Sequence, residues 1–351
     1  MEDFAPPIRS HLDDLTALAT GRMSGAGLSA KDSSVSIENV CRNLLDEQVA
    51  GAASLLFDKT AGLPAIIWMS MNQKERGNPS LVELRGEIMR LIEWIFDDFT
   101  GRELQHQLGE YVVEVVRTCM RLFPVETTTK NKDLTFGPLL AALEQREHVP
   151  DPHELRVLLF PPDRTLSPIE KYWDHLTKQK SAKEQTETLR GQCMRFLGRL
   201  AMFFPVDVSL VPIYNNRQLY RSYEAALCQE GTGLPELAGA LDGLDGLLSY
   251  IEIDRADTSK LFSSLLHRLD RWVDNDDIKR YNVPRAVMRV LANHMPHFAA
   301  ANLLMPSEAT HVKIRENLES SLIYSSARRI WELLHPLSLH HNAEMQHQAS
   351  G

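Results

Sequence analysis

Cysteine is scarce. The 351 residues hold four, Cys41, Cys119, Cys193 and Cys228, and no two form a CxxC pair. That excludes a disulfide framework and a cysteine-based zinc site. Cys41, Cys119 and Cys193 fall in apolar helical patterns, where a free thiol behaves as a small buried hydrophobe, so a reducing compartment is expected. Long hydrophobic runs are missing too. No window approaches ~18 uninterrupted apolar residues, so no membrane span and no membrane partner is expected. The opening MEDFAPPIRSHLDD carries early acids and no apolar stretch, and does not read as a signal peptide. A cytosolic or nuclear protein follows. Positive charge is not in excess: 38 Lys and Arg face 47 Asp and Glu, a formal net charge of -9. A dedicated nucleic-acid module would be basic overall, but a basic stripe on an acidic surface stays possible. Glycine and proline, 18 each, are too few for wholesale disorder.

Catalytic signatures are missing as well. The chain has no GxGxxG, no GxxxxGK[ST], no GxSxG elbow, no HExxH and no kinase-type HRDxxxxN or DFG. The cluster GTGLPELAG leads into a packing helix and lacks phosphate-cradle spacing. His335, His340, His341 and His347 have no Cys or carboxylate pair to complete a tetrahedral set, so they read as solvated side chains. Asp242 and Asp245 in LDGLDG lack the alternating ligands of a calcium loop. No metal, no cofactor and no catalytic residue is expected.

What is present is helical period almost everywhere. Ile8, Leu12, Leu15 and Leu18 form one stripe; Ile37, Val40, Cys41, Leu44 and Leu45 form another, with Ser36 as its N-cap. Residues 20–36, which include TGRMSGAGLSAKDSS, read as a flexible Gly/Ser-rich connector. Further helices are expected at Leu81–Phe99, Glu103–Phe123, Phe136–Leu143, Pro168–Leu176, Lys183–Phe204, Gln218–Leu227, Pro235–Tyr250, Ser259–Trp272 and Pro284–Ala300. PAIIWMSM, the best strand candidate, reads equally well as a buried helix with proline in its first turn. The class is all-α.

The helices also repeat. LRGEIMRLIEWI and LRGQCMRFLGRL share Leu-Arg-Gly and Met-Arg in one register, and LPELAGALDGL and VPRAVMRVLAN share an aliphatic-Pro step before a tightly packing helix. Their starts, with LTFGPLLAAL between, fall roughly 45–55 residues apart, near the ~40–47 of HEAT or armadillo units. A helix pair buries one face of each helix and needs neighbours on both sides, which stacking supplies; Ala238, Gly239 and Ala240 would let neighbours approach closely. An α-solenoid over residues 1–351 is the expected architecture, against a compact helical domain with chance similarity. A helix opened at Asn342 stops at Gly351 without a polar capping repeat, so the chain reads as a fragment of a longer one.

Basic residues sit between helices: Lys130 and Lys132 in TTTKNKDLTF; Lys178, Lys180 and Lys183 in TKQKSAK; Lys279, Arg280, Arg285 and Arg289 around Pro284. On successive turns of a solenoid such charges line one edge and track a phosphate backbone. Taken singly, each reads as readily as a solubilising charge. Half a dozen phosphate contacts support only non-specific binding, with Kd roughly 10⁻⁴ to 10⁻⁶ M.

DIKRYNVPRAVMRVLANHMPHFAAANLL, preceded by LPELAGALDGLDGLLSYIE, resembles the N-terminal HEAT region of the DNA-dependent protein kinase catalytic-subunit family, phosphatidylinositol-3-kinase-related Ser/Thr kinases. IRSHLDDLTALAT, ASLLFDKTAGLPAIIW, LRGEIMRLIEWIFDDF, the KNK turn, LRGQCMRFLGRLAMFFP and NAEMQHQASG follow in the same order. The resemblance implies a nuclear scaffold arm of non-homologous end joining. Its partners would be double-stranded DNA ends, the Ku heterodimer and the remainder of the kinase chain, which carries the ATP-dependent kinase domain. The family's basic loop falls on Lys130 and Lys132, and its lysine-rich turn on Lys178, Lys180 and Lys183, here more widely spread. The alternative is a DNA-independent protein-interaction solenoid, a transport receptor or assembly scaffold. A free-standing helical enzyme has no motif behind it.

Overall fold

The computed structural model describes residues 5–22, 29–42, 46–72, 78–98, 107–162, 168–178, 184–215, 217–229, 231–251 and scattered positions between 257 and 294. Among them there is no strand, and the chain is an all-α helical-repeat solenoid. It divides into two compact units, Met1–Lys171 and Tyr172–Gly351.

In the first unit, α1 (Ala5–Ala19) packs on α2 (Ala30–Arg42), α3 (Asp46–Leu56) and α4 (Leu63–Met71). The stripe of α1 is Ile8, Leu12, Leu15 and Ala19, all buried, while Leu18 is only half-buried. Steps of four, three and four track the 3.6-residue turn, and a final step of three from Leu15 drifts off the face. α1 closes in a Schellman turn: the Arg22 amide donates to the Ala17 carbonyl (3.0 Å) and the Gly21 amide to that of Leu18 (3.2 Å), with Gly21 at φ 67°.

The expected connector over 20–36 is shorter than its composition implies. α2 begins at Ala30, capped by the Ser29 hydroxyl, which accepts from the Asp32 amide (3.0 Å). Ser36 therefore lies inside the helix and is not its cap. Ser33 and Ser34 are buried, and Ser34 returns its hydroxyl to the Lys31 carbonyl (2.9 Å). That back-bonding lets small polar residues sit inside a helix that composition alone assigns to a loop. PAIIWMSM is helical in α4, with Pro64 in the first turn.

Beyond α4 run α5 (Pro79–Asp98), α6 (Val112–Val125), α7 (Thr129–Leu134), α8 (Phe136–Glu144) and α9 (Pro152–Leu159). These form two columns. In one, α5 is followed by α7 and α8: the Asn131 amide donates to the Val82 carbonyl, 49 residues back, and Gly137 lies against Glu93. Residue numbers rise together along both partners, so the helices run parallel. In the other column α6 is followed by α9, joined by Arg117 and Glu154, 37 residues apart (2.7 Å).

The second unit repeats the arrangement. α10 (Pro168–Lys178) places buried Tyr172 against Phe196, with ring centroids 4.7 Å apart. α11 (Glu184–Phe203) stacks parallel on α15 (Leu234–Leu248), and helical residues from Val283 to His294 stack in turn on α15. Arg190 reaches Glu236, 46 residues on; Arg289 reaches back 47 to Asp242, and Asn293 back 48 to Asp245. Between them, after the short α12 (Pro205–Val208) and α13 (Pro212–Asn215), α14 (Gln218–Cys228) is followed by helical residues from 257 to 265. Arg217 meets Asp257, 40 residues on, and Cys228 meets Ser264, 36 on. Parallel stacking, 46–48 residues apart in one column and 36–40 in the other, is the signature of equivalent helices in successive repeats. Val287, Val290 and Leu291 face inward as their spacing predicts; Pro284 lies outside the described residues.

The seam between α11 and α15 is made of backbone. A Cβ at Gly198 would overlap the Gly243 carbonyl, one at Gly239 would overlap that of Gly191, and one at Gly246 that of Gly198. Glycines 191 and 198 on α11, and 239, 243 and 246 on α15, therefore form the close approach. Ala238 is half-buried and Ala240 buried. Hydroxyls complete the packing: Tyr214 donates to the Leu197 carbonyl (2.6 Å) and Tyr223 to that of Met194. Cys41, Cys119 and Cys193 are buried and Cys228 is exposed, and none of the four is in a disulfide. Burial, aided by Glu38, pushes the Cys41 thiol up to about 12.

Candidate nucleic-acid interface

TTTKNKDLTF does not form the loop expected of it. It is the six-residue helix α7, opened by Thr128, whose hydroxyl accepts from the Asn131 amide (3.2 Å). The Lys132 amide bonds back to the Thr128 carbonyl (3.0 Å), and the Thr135 hydroxyl donates to the carbonyl of Lys132 (2.7 Å). A threonine cap and a helical register of small and polar residues override the turn-like composition.

Asn131, between the two lysines, is the residue that faces inward. Its side-chain amide donates to the Val82 carbonyl (2.7 Å) and to Glu126 (3.2 Å). Glu126 is held by Arg85 through a paired fork, Nε to Oε2 at 2.9 Å and Nη2 to Oε1 at 2.8 Å. Side-chain exposures are 1% for Arg85 and 0% for Glu126. The Ser70 hydroxyl lies 3.5 Å from the remaining Arg85 nitrogen. Gly86 makes room: a Cβ there would stand 3.2 Å from the Leu134 side chain and 3.4 Å from Asn131 Oδ1. A buried bidentate pair with its other lone pairs occupied is the geometry in which a desolvated ion pair is tolerated.

With Asn131 inward, neighbours at ±1 lie about 100° to either side on the helix. Lys130 is exposed, and no ion pair to it is formed among the described residues. The Lys132 ammonium lies 5.6 Å from the centroid of the Phe123 ring, within cation–π range. Phe123 is braced edge-on by Phe136, at 5.5 Å.

Lys178 is the last residue of α10. Lys180, Lys183, Lys279, Arg280 and Arg285 lie outside the described residues, as do the four C-terminal histidines. Arg289, expected as a surface cation, is spent internally: it pairs with Asp242 and lies 3.3 Å from Asp245. Asp242 also takes Arg195 from the preceding repeat (2.7 Å). Asp245 accepts from Asn293 (3.0 Å) and His294 (3.1 Å). Burial pushes the Asp245 carboxyl up, but His294, Asn293 and the Arg289 charge outweigh it and hold the group below its usual range. LDGLDG is thus a rung of an inter-repeat ladder. Among the described residues no group of His, Cys, Asp or Glu is placed to hold a metal, and no helix is long and apolar enough to cross a membrane.

Arg85, Glu126 and Asn131 were not singled out by their sequence pattern, yet one signal was present. Leu84-Arg85-Gly86 and Leu189-Arg190-Gly191 share a register, and both arginines reach a glutamate of the next repeat, Glu126 and Glu236 (2.8 Å). Both glycines admit the neighbouring helix, Gly191 against the Pro235 carbonyl. The shared motif is a repeat-to-repeat fastening.

The family model that matches the chain is described as DNA-PKcs, N-terminal, and it covers residues 50–350. It takes in the greater part of both compact units, the Arg85 and Arg190 fastenings and the lysines of α7. The chain belongs to the DNA-PKcs N-terminal family.

Proposed function

We propose that this chain is the scaffold arm of a DNA-dependent protein kinase, cradling double-stranded DNA ends and docking the Ku heterodimer in the nucleus during non-homologous end joining. Phosphoryl transfer on this reading belongs to the remainder of the kinase chain. The observation that carries it is the family match over residues 50–350. The exposed Lys130 and the ring-backed Lys132 support a phosphate-facing edge on α7. Phosphates are contacted by such cations without base readout, so the edge would position DNA and leave sequence unread. Lys178, Lys180, Lys183, Lys279 and Arg280 are further candidate phosphate contacts in later repeats. So few phosphate contacts bind only weakly, so tight recruitment would need a partner.

The test is anisotropy of a labelled blunt duplex titrated with the chain at several salt concentrations, with and without Ku. Weak, salt-steep binding that Ku strengthens is expected. Lys130→Glu with Lys132→Glu should lower the log–log salt slope by about two, roughly one per lost contact. Binding indifferent to salt and to both reversals would remove this reading in favour of a protein-interaction solenoid.

A further inference from the structure

α7 is six residues long, too short to hold its shape alone. Two of those residues are the lysines read above as a phosphate-facing pair, and the residue between them makes side-chain hydrogen bonds that tie the helix to its neighbours. Asn131 bonds across to α5 at Val82 and to Glu126, which Arg85 of α5 locks from behind. Gly86 leaves the space into which Asn131 and Leu134 fit. None of Arg85, Glu126 and Asn131 reaches solvent as a charge available to a ligand: Arg85 and Glu126 neutralise each other in the interior, and Asn131 is 5% exposed.

We infer that Arg85, Glu126 and Asn131 are positioning residues for the phosphate-binding edge of α7, acting on DNA only through Lys130 and Lys132. The inference rests on the proposed DNA-facing role of those lysines. Its physical content is pre-organisation. A lysine on an unanchored turn must be ordered when the polyanion binds, and that entropy is taken from affinity. Asn131 moves the ordering into folding, so the two ammonium groups stand on either flank of a fixed helix before any phosphate arrives. Lys132 gains a second restraint from the Phe123 ring.

Four versions of the full chain separate the possibilities: unmodified, Asn131→Ala, Lys130→Gln with Lys132→Gln, and all three changes together. Duplex binding is read at low salt, and amide exchange is read at Lys132 and Thr135, whose amides bond within the turn. In Asn131→Ala, exchange should quicken at Lys132 and Thr135 while α6 stays protected. Affinity should fall roughly fivefold, the cost of ordering about one residue on binding. In the background lacking both lysines, Asn131→Ala should change affinity no further. The inference is overturned if exchange quickens and affinity does not move, or if Asn131→Ala costs the same with and without the lysines. Unchanged exchange also overturns it, because Asn131 then anchors nothing. A lysine-free chain that binds like the unmodified one sinks the parent reading and this inference together. A lysine effect without an asparagine effect sinks this inference alone.

Discussion

Arg85 and Glu126 occupy positions that a pair of leucines would fill without electrostatic cost, and both are dry. Their worth is therefore asymmetric. Removing one ion leaves the other buried and uncompensated, so Arg85→Leu should lower the unfolding free energy by about 3–5 kcal/mol, while Arg85→Leu with Glu126→Leu should recover much of that loss. Urea midpoints of the two variants decide it, and equal loss in both would contradict the asymmetry. Asp245 sets a pH dependence of definite sign. Its carboxyl is held below the ordinary value of about 3.9 by His294, Asn293 and Arg289, so its stabilisation is fully present above about pH 4. It is lost as the pH falls through the lower, folded-state value. Stability measured from neutral pH to about pH 2 should drop more steeply below pH 4 in the unmodified chain than in Asp245→Asn.

At the scale of elements, glycine decides the spacing of helices. Gly198 faces the Gly243 carbonyl with backbone on both sides, so an added methyl has no flexible neighbour to displace. Gly198→Ala should cost about 3 kcal/mol or more. Gly51, inside α3 and with nothing within 4 Å of where a methyl would stand, is the control: Gly51→Ala should raise stability by about 0.5 kcal/mol. Thermal melts of the two variants should move in opposite directions. Most helices were legible because apolar spacing follows the helical turn; α5, α8, α11, α14 and α15 end within about two residues of their expected limits. The first half of α2 and the whole of α7 were not, because serine, threonine and lysine stretches look alike in loops and in helices whose polar groups bond back locally. The lysines of the candidate interface were legible as charge, but their inward anchor was not. Asn131 gains its meaning from Val82 and Glu126, 49 and 5 residues away, and no local pattern announces that pairing. Arg289 shows the converse: a cation that reads as surface charge is consumed by acids 47 residues earlier.

At the scale of the whole molecule, each repeat within a unit is fastened to the next by contacts of similar span. A stacked array of this kind transmits a lesion by nearest neighbours and not through a single shared core. Arg85→Leu should therefore speed amide exchange across α5 to α8 while the amides of α11 and α15 keep their protection. Uniform loss of protection in every helix would show one cooperative block instead. The stride has a further consequence for heredity. Asp242 sits between Arg195 and Arg289, one from the repeat before and one from the repeat after. A coding change that removes or duplicates a few residues within α15 shifts these two pairings out of phase, whereas one that duplicates a stretch of about 47 residues, the span from Asp242 to Arg289, keeps an acid and an arginine at the same height. Length in this chain is therefore quantised, and tolerated variants should differ by whole repeats or by turns between helices.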